Sequence, residues 1–468
     1  MTKEDNRRYL ILKDSNIYKG LLILALPLML NNFIRTIHDL VDMYFVKSIP
    51  GHATEAVNSI AVTFPVLFTF ISLGMGLGIA GTALISQFVG SNQRDDARCY
   101  ATNLFVIAVV VGIVLNIVMY FGSPYVMYWM GNDGFTLEKS SNYLQIRSFE
   151  LTLLFIFFAF TAIKQSDGDT VTPVVYGVST IIINIILTPI MILEDINIFG
   201  LSFSGLGYGV EGAAYATLIA HLIVMPFVLY QLFFSKTGLT ISFKFHKFRR
   251  KISKQIMRTA LPASSGQALT AIGFIIMTTI IISYGVDTLA AFSIGNRIAS
   301  LILHPVMAIG GVVAAYIGQN IGNLNVERAK ETFKKAMILS LVIMTVLSII
   351  VMFLREPLAM IFLEESEAID LTVKYMFYLI IGLPLMAIFQ TFIGTFNGTG
   401  HTKFTFAIGV TRLWILRIPL ILIFKYFTDM GSSGIWTAML ISNFIIAFVG
   451  YGMYKTLDFK PRIELRDN

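Results

Sequence analysis

The sequence has little charge and almost no cysteine for its length. Of 468 residues, 13% are Asp, Glu, Lys or Arg and 56% are hydrophobic, and the mean hydropathy is +0.74. Because a soluble domain carries roughly 25% charged residues, this composition argues against a soluble protein. A single cysteine, Cys99, excludes an internal disulfide and a thiolate metal cluster.

Signals for catalysis and nucleotide binding are also missing from the sequence. None of the six histidines forms a metal-ligand pair at helical spacing with another His or Cys. The glycine-rich stretch 74–78 lies inside a long apolar run, where close helix packing explains it better than a phosphate-binding loop does. No Walker sequence is present, so neither an ATP-driven step nor a cofactor is indicated. We therefore expect a protein that is not an enzyme. A membrane-embedded enzyme, the alternative, would need paired catalytic residues facing the bilayer, and the sequence shows no such pair.

Long uncharged runs dominate the sequence instead, for example residues 57–93, 99–132 and 336–354. A helix needs ~20 such residues to cross the hydrocarbon of a bilayer. Only helices and closed barrels can cross, because the backbone polar groups must be paired internally. The runs lack the alternation of barrel strands. We therefore predict an all-α integral membrane protein with twelve transmembrane helices, the first over roughly residues 20–46.

The net charge of +7 is concentrated in alternate loops of this arrangement. Basic residues cluster in the N-terminal tail, after predicted helices 2, 6 and 8, and in the C-terminal tail, whereas the other loops hold few. The positive-inside rule therefore predicts a multi-pass protein of the cell membrane with both termini in the cytoplasm. The same distribution explains the basic balance without nucleic acid as a partner.

The chain divides into two similar halves around a long basic linker. We predict an N-lobe of helices 1–6 over residues 1–235, a cytoplasmic linker over 236–254, and a C-lobe of helices 7–12 over 255–468. Five motif pairs match across the linker, among them Ala25-Leu26-Pro27 with Ala260-Leu261-Pro262, Gln87-Phe88-Val89-Gly90 with Gln319-Asn320-Ile321-Gly322, and Gly168-Asp169-Thr170 with Gly400-His401-Thr402. Collinear matches of this kind predict two pseudo-symmetric six-helix lobes, as in secondary transporters, with the substrate site between them.

These motifs resemble those of one transporter family. Leu26-Pro27 followed by residues 39–46 resembles the first helix of the multidrug and toxic compound extrusion (MATE) family, and residues 87–90, 166–170 and 397–400 resemble its loops. The resemblance, which points to the DinF-like branch, covers about residues 15–455. It implies a monomeric cation-coupled antiporter that exports small drug-like organic compounds, cationic or amphipathic, from the cytoplasm.

A lipid-linked oligosaccharide flippase of the related polysaccharide-exporter type is the alternative function. Such a flippase is expected to line its cavity with cations for a pyrophosphate group. Five arginines within or near the predicted spans keep this alternative open: Arg35, Arg147, Arg297, Arg412 and Arg417.

Predicted helix 1 carries four ionisable residues, Arg35, His38, Asp39 and Asp42, although charges within a bilayer are rare and usually functional or paired. Arg35 and Asp39 are spaced i, i+4 and can neutralise each other. Asp42 is then left with His38 as its neighbour. A desolvated carboxylate holds its proton more tightly and can exchange it near neutral pH. We therefore assign ion coupling to Asp42; the alternative is that Asp42 is solvated close to the outer water.

The resemblance implies that this carboxylate works with Asn184, Thr188 and Thr217 on helices 5 and 6, with Asp39 as a further member. The DinF-like branch commonly has a second Asp before the helix 5 proline, where this chain has Thr188-Pro189. Sodium needs several oxygen ligands whereas a proton needs one carboxylate, so a proton is the expected coupling ion and sodium at Asp42 the alternative. The three polar residues could instead serve only as hydrogen bonds between packed helices.

Four polar residues are candidates for lining a substrate cavity: Arg35, His38, Arg147 and Glu150. Arg147 and Glu150 are spaced i, i+3 and could instead form a structural pair. A second family branch places acidic residues on helices 7 and 10, where this chain has Thr270 and Met386. The C-lobe is therefore not expected to carry the ion.

Overall fold

The computed structural model describes residues 3–49, 53–198, 201–242, 250–361, 363 and 366–464. The α-helices in these residues are α1 (Lys3–Leu12), α2 (Ile17–Lys47), α3 (Ala53–Ala61), α4 (Phe64–Gly90), α5 (Arg94–Trp129), α6 (Gly134–Ser166), α7 (Val171–Ile192), α8 (Gly209–Phe233), α9 (Arg250–Ile282), α10 (Val286–Gly322), α11 (Val326–Met360), α12 (Ser366–Gly398), α13 (Thr402–Val410), α14 (Ile418–Phe427) and α15 (Ser432–Lys455). A π-helical segment, Thr411–Arg417, joins α13 to α14. An antiparallel hairpin of β1 (Asp195–Ile198) and β2 (Leu201–Ser204) connects α7 to α8, with Asp195 opposite Ser204.

Twelve helical segments of the described chain are long and apolar enough to cross a membrane. They are α2, α3 with α4, the single helices α5 to α12, the continuous unit of α13, the π segment and α14, and α15. The predicted all-α membrane architecture is therefore confirmed. The hairpin and the short helix α1 are additions that the hydropathy pattern did not predict.

Local side-chain signals set several of the helix ends. The Asn16 side chain accepts a hydrogen bond from the Lys19 amide at 3.1 Å at the start of α2, and Asn325 accepts one from the Arg328 amide at 3.0 Å at the start of α11. Such caps satisfy amides that have no partner within the helix. Pro27 lies inside α2 and removes one backbone donor, which weakens that helix locally.

The internal repeat is visible in both backbone and packing. Asn92 follows α4 with a φ of 64°, and Leu324 follows α10 with a φ of 57°; among the described residues these are the two non-glycine positions with positive φ. They are equivalent positions of the repeat. Helix α2 packs on α10 and α9 packs on α4, so the first helix of each half lies against the second helix of the other half.

Helices α4 and α10 end against each other at the repeated Gln-X-X-Gly motifs. A Cβ on Gly90 would clash with the backbone carbonyl of Gln319, and a Cβ on Gly322 would clash with that of Gln87. Only glycine permits this backbone approach. Gln319 Nε2 also donates to the Ser166 carbonyl at 2.7 Å. The two motifs thus close one end of the molecule, which we call the basic end because the basic loops gather there.

Both terminal segments are bound at the basic end. Tyr316 Oη donates to the Leu10 carbonyl at 2.7 Å, and Arg328 Nε donates to the Ile11 carbonyl at 2.9 Å, so α10 and α11 hold the last turn of α1. In the C-terminal tail, the Arg462 amide donates to Gln87 Oε1 at 2.8 Å. The two tails therefore brace the closed α4–α10 contact.

The hydrophobic core crosses the predicted lobe boundary. One buried cluster joins α1 and the start of α2 to α10, α11, α12 and α15. A second joins α4, α5, α6 and α8 to the start of α9. The boundaries near residues 235 and 254 stay a prediction, since 243–249 lie outside the described residues.

Candidate functional site

A polar cluster lies where α2 faces α7 and α8. Thr188 Oγ1 donates to Asp42 Oδ1 at 3.1 Å, and His38 Nε2 lies 3.3 Å from Asp42 Oδ2. The Asp42 side chain is 29% exposed and that of His38 is 16% exposed, so the protein encloses the carboxylate only in part. We call His38, Asp42, Asn184, Thr188 and Thr217 the coupling cluster, after the role that the sequence predicts for Asp42.

The amide of Asn184 joins the members of this cluster in either of two orientations. In the first, Oδ1 lies 2.7 Å from His38 Nε2 and accepts from Thr188 Oγ1 at 3.0 Å, while Nδ2 donates to Thr217 Oγ1 at 3.0 Å. In the second, Nδ2 donates to His38 Nε2 at 2.7 Å and to Asp42 Oδ1 at 3.3 Å, and Oδ1 accepts from Thr217 Oγ1. The first requires a proton on His38 Nε2 and the second requires that nitrogen to be bare.

A second charged cluster lies beside the first and was only partly anticipated. Arg147 Nε lies 2.8 Å from Glu150 Oε2, so the expected pair forms within α6. His221 of α8 adds to it: Nδ1 donates to the Thr217 carbonyl at 3.0 Å and lies 3.5 Å from Glu150 Oε1. His221 was not predicted from the sequence, although its i+4 spacing from Thr217 is a signal that the sequence contains. Through Thr217 the two clusters are contiguous.

Other predicted site residues are placed less centrally. The side chain of Asp39 lies outside the described residues, so its pairing with Arg35 stays a prediction. Arg35 is an exposed residue of α2.

A central cavity of about 410 Å³ lies between the two halves. Its walls come from α4, α6, α9, α10, α12, α13 and the π segment, with amide side chains from Gln165, Gln267, Gln390 and Asn397. None of the four residues considered as cavity residues is among those that line it. Arg412 is the one charged residue that the structure places in the cavity wall.

Two buried arginines belong to the π-helical segment. Arg417 donates from Nε to Ser442 Oγ at 3.0 Å and from Nη2 to Asn443 Oδ1 at 2.6 Å, which supplies the partners that sequence reasoning could not name. Arg412 stacks over the ring of Phe389 at 4.1 Å and donates from Nη1 to Met386 Sδ at 2.8 Å. Neither arginine contacts a carboxylate in the described part of the chain.

The repeated loops at the basic end hold a different residue in each half. After α6, Asp169 Oδ2 lies 3.0 Å from Arg7 Nη1 of the N-terminal helix. After α12, the equivalent residue is His401, whose Nε2 contacts Arg462 of the C-terminal tail. Burial and, second, the Arg462 charge lower the pKa of His401 to about 4. His401 is therefore neutral near pH 7.

Comparisons with known proteins agree with this architecture. The MatE family model matches residues 27–190 and 262–423, one match in each half. The chain is 23% identical to a probable multidrug resistance protein, YoeA, of Bacillus subtilis, over 96% of both chains. It is 24% identical to a FAD transporter of Shewanella oneidensis, over 94% of this chain and 95% of that one. A solved structure described as the outward-facing conformation of a multidrug resistance MATE family transporter shares the fold, with a TM-score of 0.88 at 23% identity over 97% of this chain and 98% of the other.

Proposed function

Because this chain belongs to the MATE family of membrane transporters, we propose that it is a proton-coupled antiporter that moves small amphipathic organic compounds out of the cytoplasm. We assign coupling to Asp42. The observation that carries this proposal is a partly exposed carboxylate held between an imidazole and a hydroxyl, 3.3 and 3.1 Å away.

The coupling cluster offers two proton-dependent arrangements of the same atoms. With a proton on His38 Nε2, the imidazole can donate to Asp42 or Asn184. Without that proton, the Asn184 amide turns and donates to both His38 and Asp42. Gain or loss of one proton therefore changes how α2 is bound to α7. Since Pro27 weakens α2 nearer its start, a change at Asp42 can alter the path of the whole helix.

The driving force available to such a site is adequate. One pH unit across the membrane supplies ~1.4 kcal/mol per proton, and 100 mV adds ~2.3 kcal/mol per charge. The sum of these terms shifts a two-state equilibrium by more than a factor of ten. Each exchange at Asp42 could therefore reverse the preference between inward- and outward-open states.

A proton fits the cluster better than sodium does. Asp42 is the one carboxylate that the structure shows in the coupling cluster, and one of its near neighbours is an imidazole nitrogen. The described residues contain no group of three or more His, Cys, Asp or Glu side chains that could hold a metal ion. Sodium at Asp42 would have to rely on the oxygens of Thr188, Asn184 and water.

The remaining features of the proposal follow from charge distribution and kinship. We place both termini and the basic end in the cytoplasm, and we expect the chain to work as a monomer. The names of the similar proteins, which refer to multidrug resistance and to FAD, support small organic compounds as the transported class. The comparisons give no support to the flippase alternative.

Reconstituted transport tests the proposal directly. We expect purified protein in liposomes to accumulate ethidium or riboflavin 5′-phosphate against a concentration gradient when a proton gradient is imposed. Asp42→Asn should insert normally and lose this accumulation, because it cannot exchange a proton. Asp370→Asn, a change at an exposed Asp in α12, is the matched control and should remain active.

Three outcomes would contradict the proposal. Uphill accumulation by Asp42→Asn would remove the coupling role from this residue. Accumulation driven by a sodium gradient, with no proton gradient, would show that sodium and not the proton is the coupling ion. No gradient-driven transport of any of a broad panel of organic compounds by the wild type would reject the antiporter itself.

A further inference from the structure

The wall of the central cavity carries charge of one sign. Arg412, on the π segment, lines the cavity and is 6% exposed. No acidic residue accompanies it in the cavity lining that the structure describes. Two acidic side chains that were predicted to be functional and that the structure describes, Asp42 and Glu150, lie in clusters outside this lining.

The contacts of Arg412 do not neutralise its charge. The guanidinium lies over the Phe389 ring and donates one hydrogen bond to a thioether sulfur. Nε has no hydrogen-bond partner. A desolvated guanidinium with no acceptor for its donors is unfavourable. A negatively charged group in the cavity beside Arg412 would offset this cost.

The cavity lining from the first half contains a second unsatisfied polar atom. Thr161 of α6 lines the cavity, and its Oγ1 is buried without a hydrogen-bond partner. Arg412 and Thr161 come from different halves of the repeat. A ligand that lies against both residues would contact both halves.

We propose that Arg412 binds the charged group of the transported compound, and that this compound is a small organic anion with a flat apolar part. The negative group can be a phosphate, sulfonate or carboxylate, because each accepts hydrogen bonds from the planar edge of a guanidinium. Stacking on Phe389 holds that edge in place. The flat apolar part of the compound can pack against methionine and phenylalanine side chains of the cavity wall, which adapt to different shapes. These side chains are Met75, Met307, Phe158 and Phe389.

This inference rests on the proposed transport function and replaces one part of the expectation from sequence. Cationic compounds were expected among the substrates, yet a cation in this cavity would meet Arg412 and no carboxylate of the described lining. Repulsion in a site of low dielectric would oppose its binding.

Equilibrium binding with two probes that differ only in a phosphate tests the inference. Riboflavin and riboflavin 5′-phosphate share one aromatic ring system, and their fluorescence reports binding to protein in nanodiscs against empty nanodiscs. We expect the wild type to bind the phosphate form at least ten times more tightly. Arg412→Gln should reduce this preference to less than twofold, and Arg412→Lys should retain part of it. No gradient is applied, so failure here is separable from failure of proton coupling.

A variant that reduces the cavity volume separates the effect of the Arg412 charge from the effect of available space. A Cβ on Gly409, three residues before Arg412, would meet only Thr270 Oγ1 at 4.0 Å, so Gly409→Val can fold while it fills part of the cavity. We expect this variant to weaken both probes by similar factors and to keep the preference for phosphate. Equal binding of the two probes by the wild type, or an undiminished preference in Arg412→Gln, would overturn the proposal. Tighter wild-type binding of the cation ethidium than of the phosphate probe would also overturn it.

Discussion

In the first half of the chain, Asp42 and Glu150 each lie beside a histidine, whereas in the second half Arg412 and Arg417 contact a thioether, a ring, a hydroxyl and an amide. The first set combines carboxylates with imidazoles. The second set consists of guanidinium groups that contact no carboxylate of the described residues. Duplication supplies two copies of one frame, and the polar residues in each copy are suited to a different task.

The same contrast recurs at the basic end. Asp169 forms an ion pair with Arg7, whereas its repeat equivalent, His401, contacts Arg462 as a neutral ring. Both contacts tie a terminal segment to a repeated loop. A common geometry is therefore maintained by an acid in one half and by an imidazole in the other.

The largest effect is expected where a buried ion pair loses one partner. Glu150→Gln leaves Arg147 buried without its carboxylate, which should reduce the free energy of unfolding by about 3–5 kcal/mol. Thermal unfolding in detergent measures the change. Glu211→Gln breaks the more exposed Lys139–Glu211 pair and should have a smaller effect. Equal melting temperatures for Glu150→Gln and the wild type would show that this pair is not structural.

A change of opposite sign is expected for the unpaired arginine. Arg412→Met removes a buried charge that has no carboxylate partner and should raise the free energy of unfolding by about 1 kcal/mol or more. Arg417→Met, by contrast, leaves Ser442 and Asn443 without their hydrogen bonds and should lower it. The same thermal measurement compares them. A lower melting temperature for Arg412→Met would mean that the protein itself satisfies this charge.

The last effect is confined to acidic pH and concerns the stability of the basic end. The pKa of His401 is about 4 in the folded protein against an ordinary 6.5. Between about pH 6.5 and about pH 4, His401 is protonated in the unfolded chain but remains neutral in the folded protein. The free energy of unfolding therefore decreases as pH falls through this range. His401→Gln should therefore melt with less dependence on pH in that window than the wild type. Parallel melting curves for the two proteins would contradict this assignment.

Much of the fold was predictable because the spans are recognised from local composition. Long uncharged runs located nine of the twelve spans, and the motif pairs located the repeat. The crossed packing of α2 on α10 and α9 on α4 was not predictable, since it depends on how helices distant in sequence meet. Helix α1 and the β-hairpin lie outside the apolar runs and left no hydropathy signal.

The candidate site was predictable only as far as single helices determine it. Spacing along α2 suggested His38 as the neighbour of Asp42, and the family resemblance named Thr188 and Asn184. His221 was missed because its carboxylate partner lies on another helix. Partners for Arg417 were likewise invisible, because Ser442 and Asn443 come from the following helix, α15.

A crossed experiment on two variants tests the division between the halves most directly. Proton-driven accumulation and equilibrium binding of riboflavin 5′-phosphate are measured for Asp42→Asn and Arg412→Gln in the same lipid. We predict that Asp42→Asn loses accumulation but binds the probe within twofold of the wild type. Arg412→Gln should bind it at least ten times more weakly, yet its remaining transport should still depend on the proton gradient. If Asp42→Asn also loses binding, or if transport by Arg412→Gln no longer responds to the gradient, the two tasks are not divided between the halves.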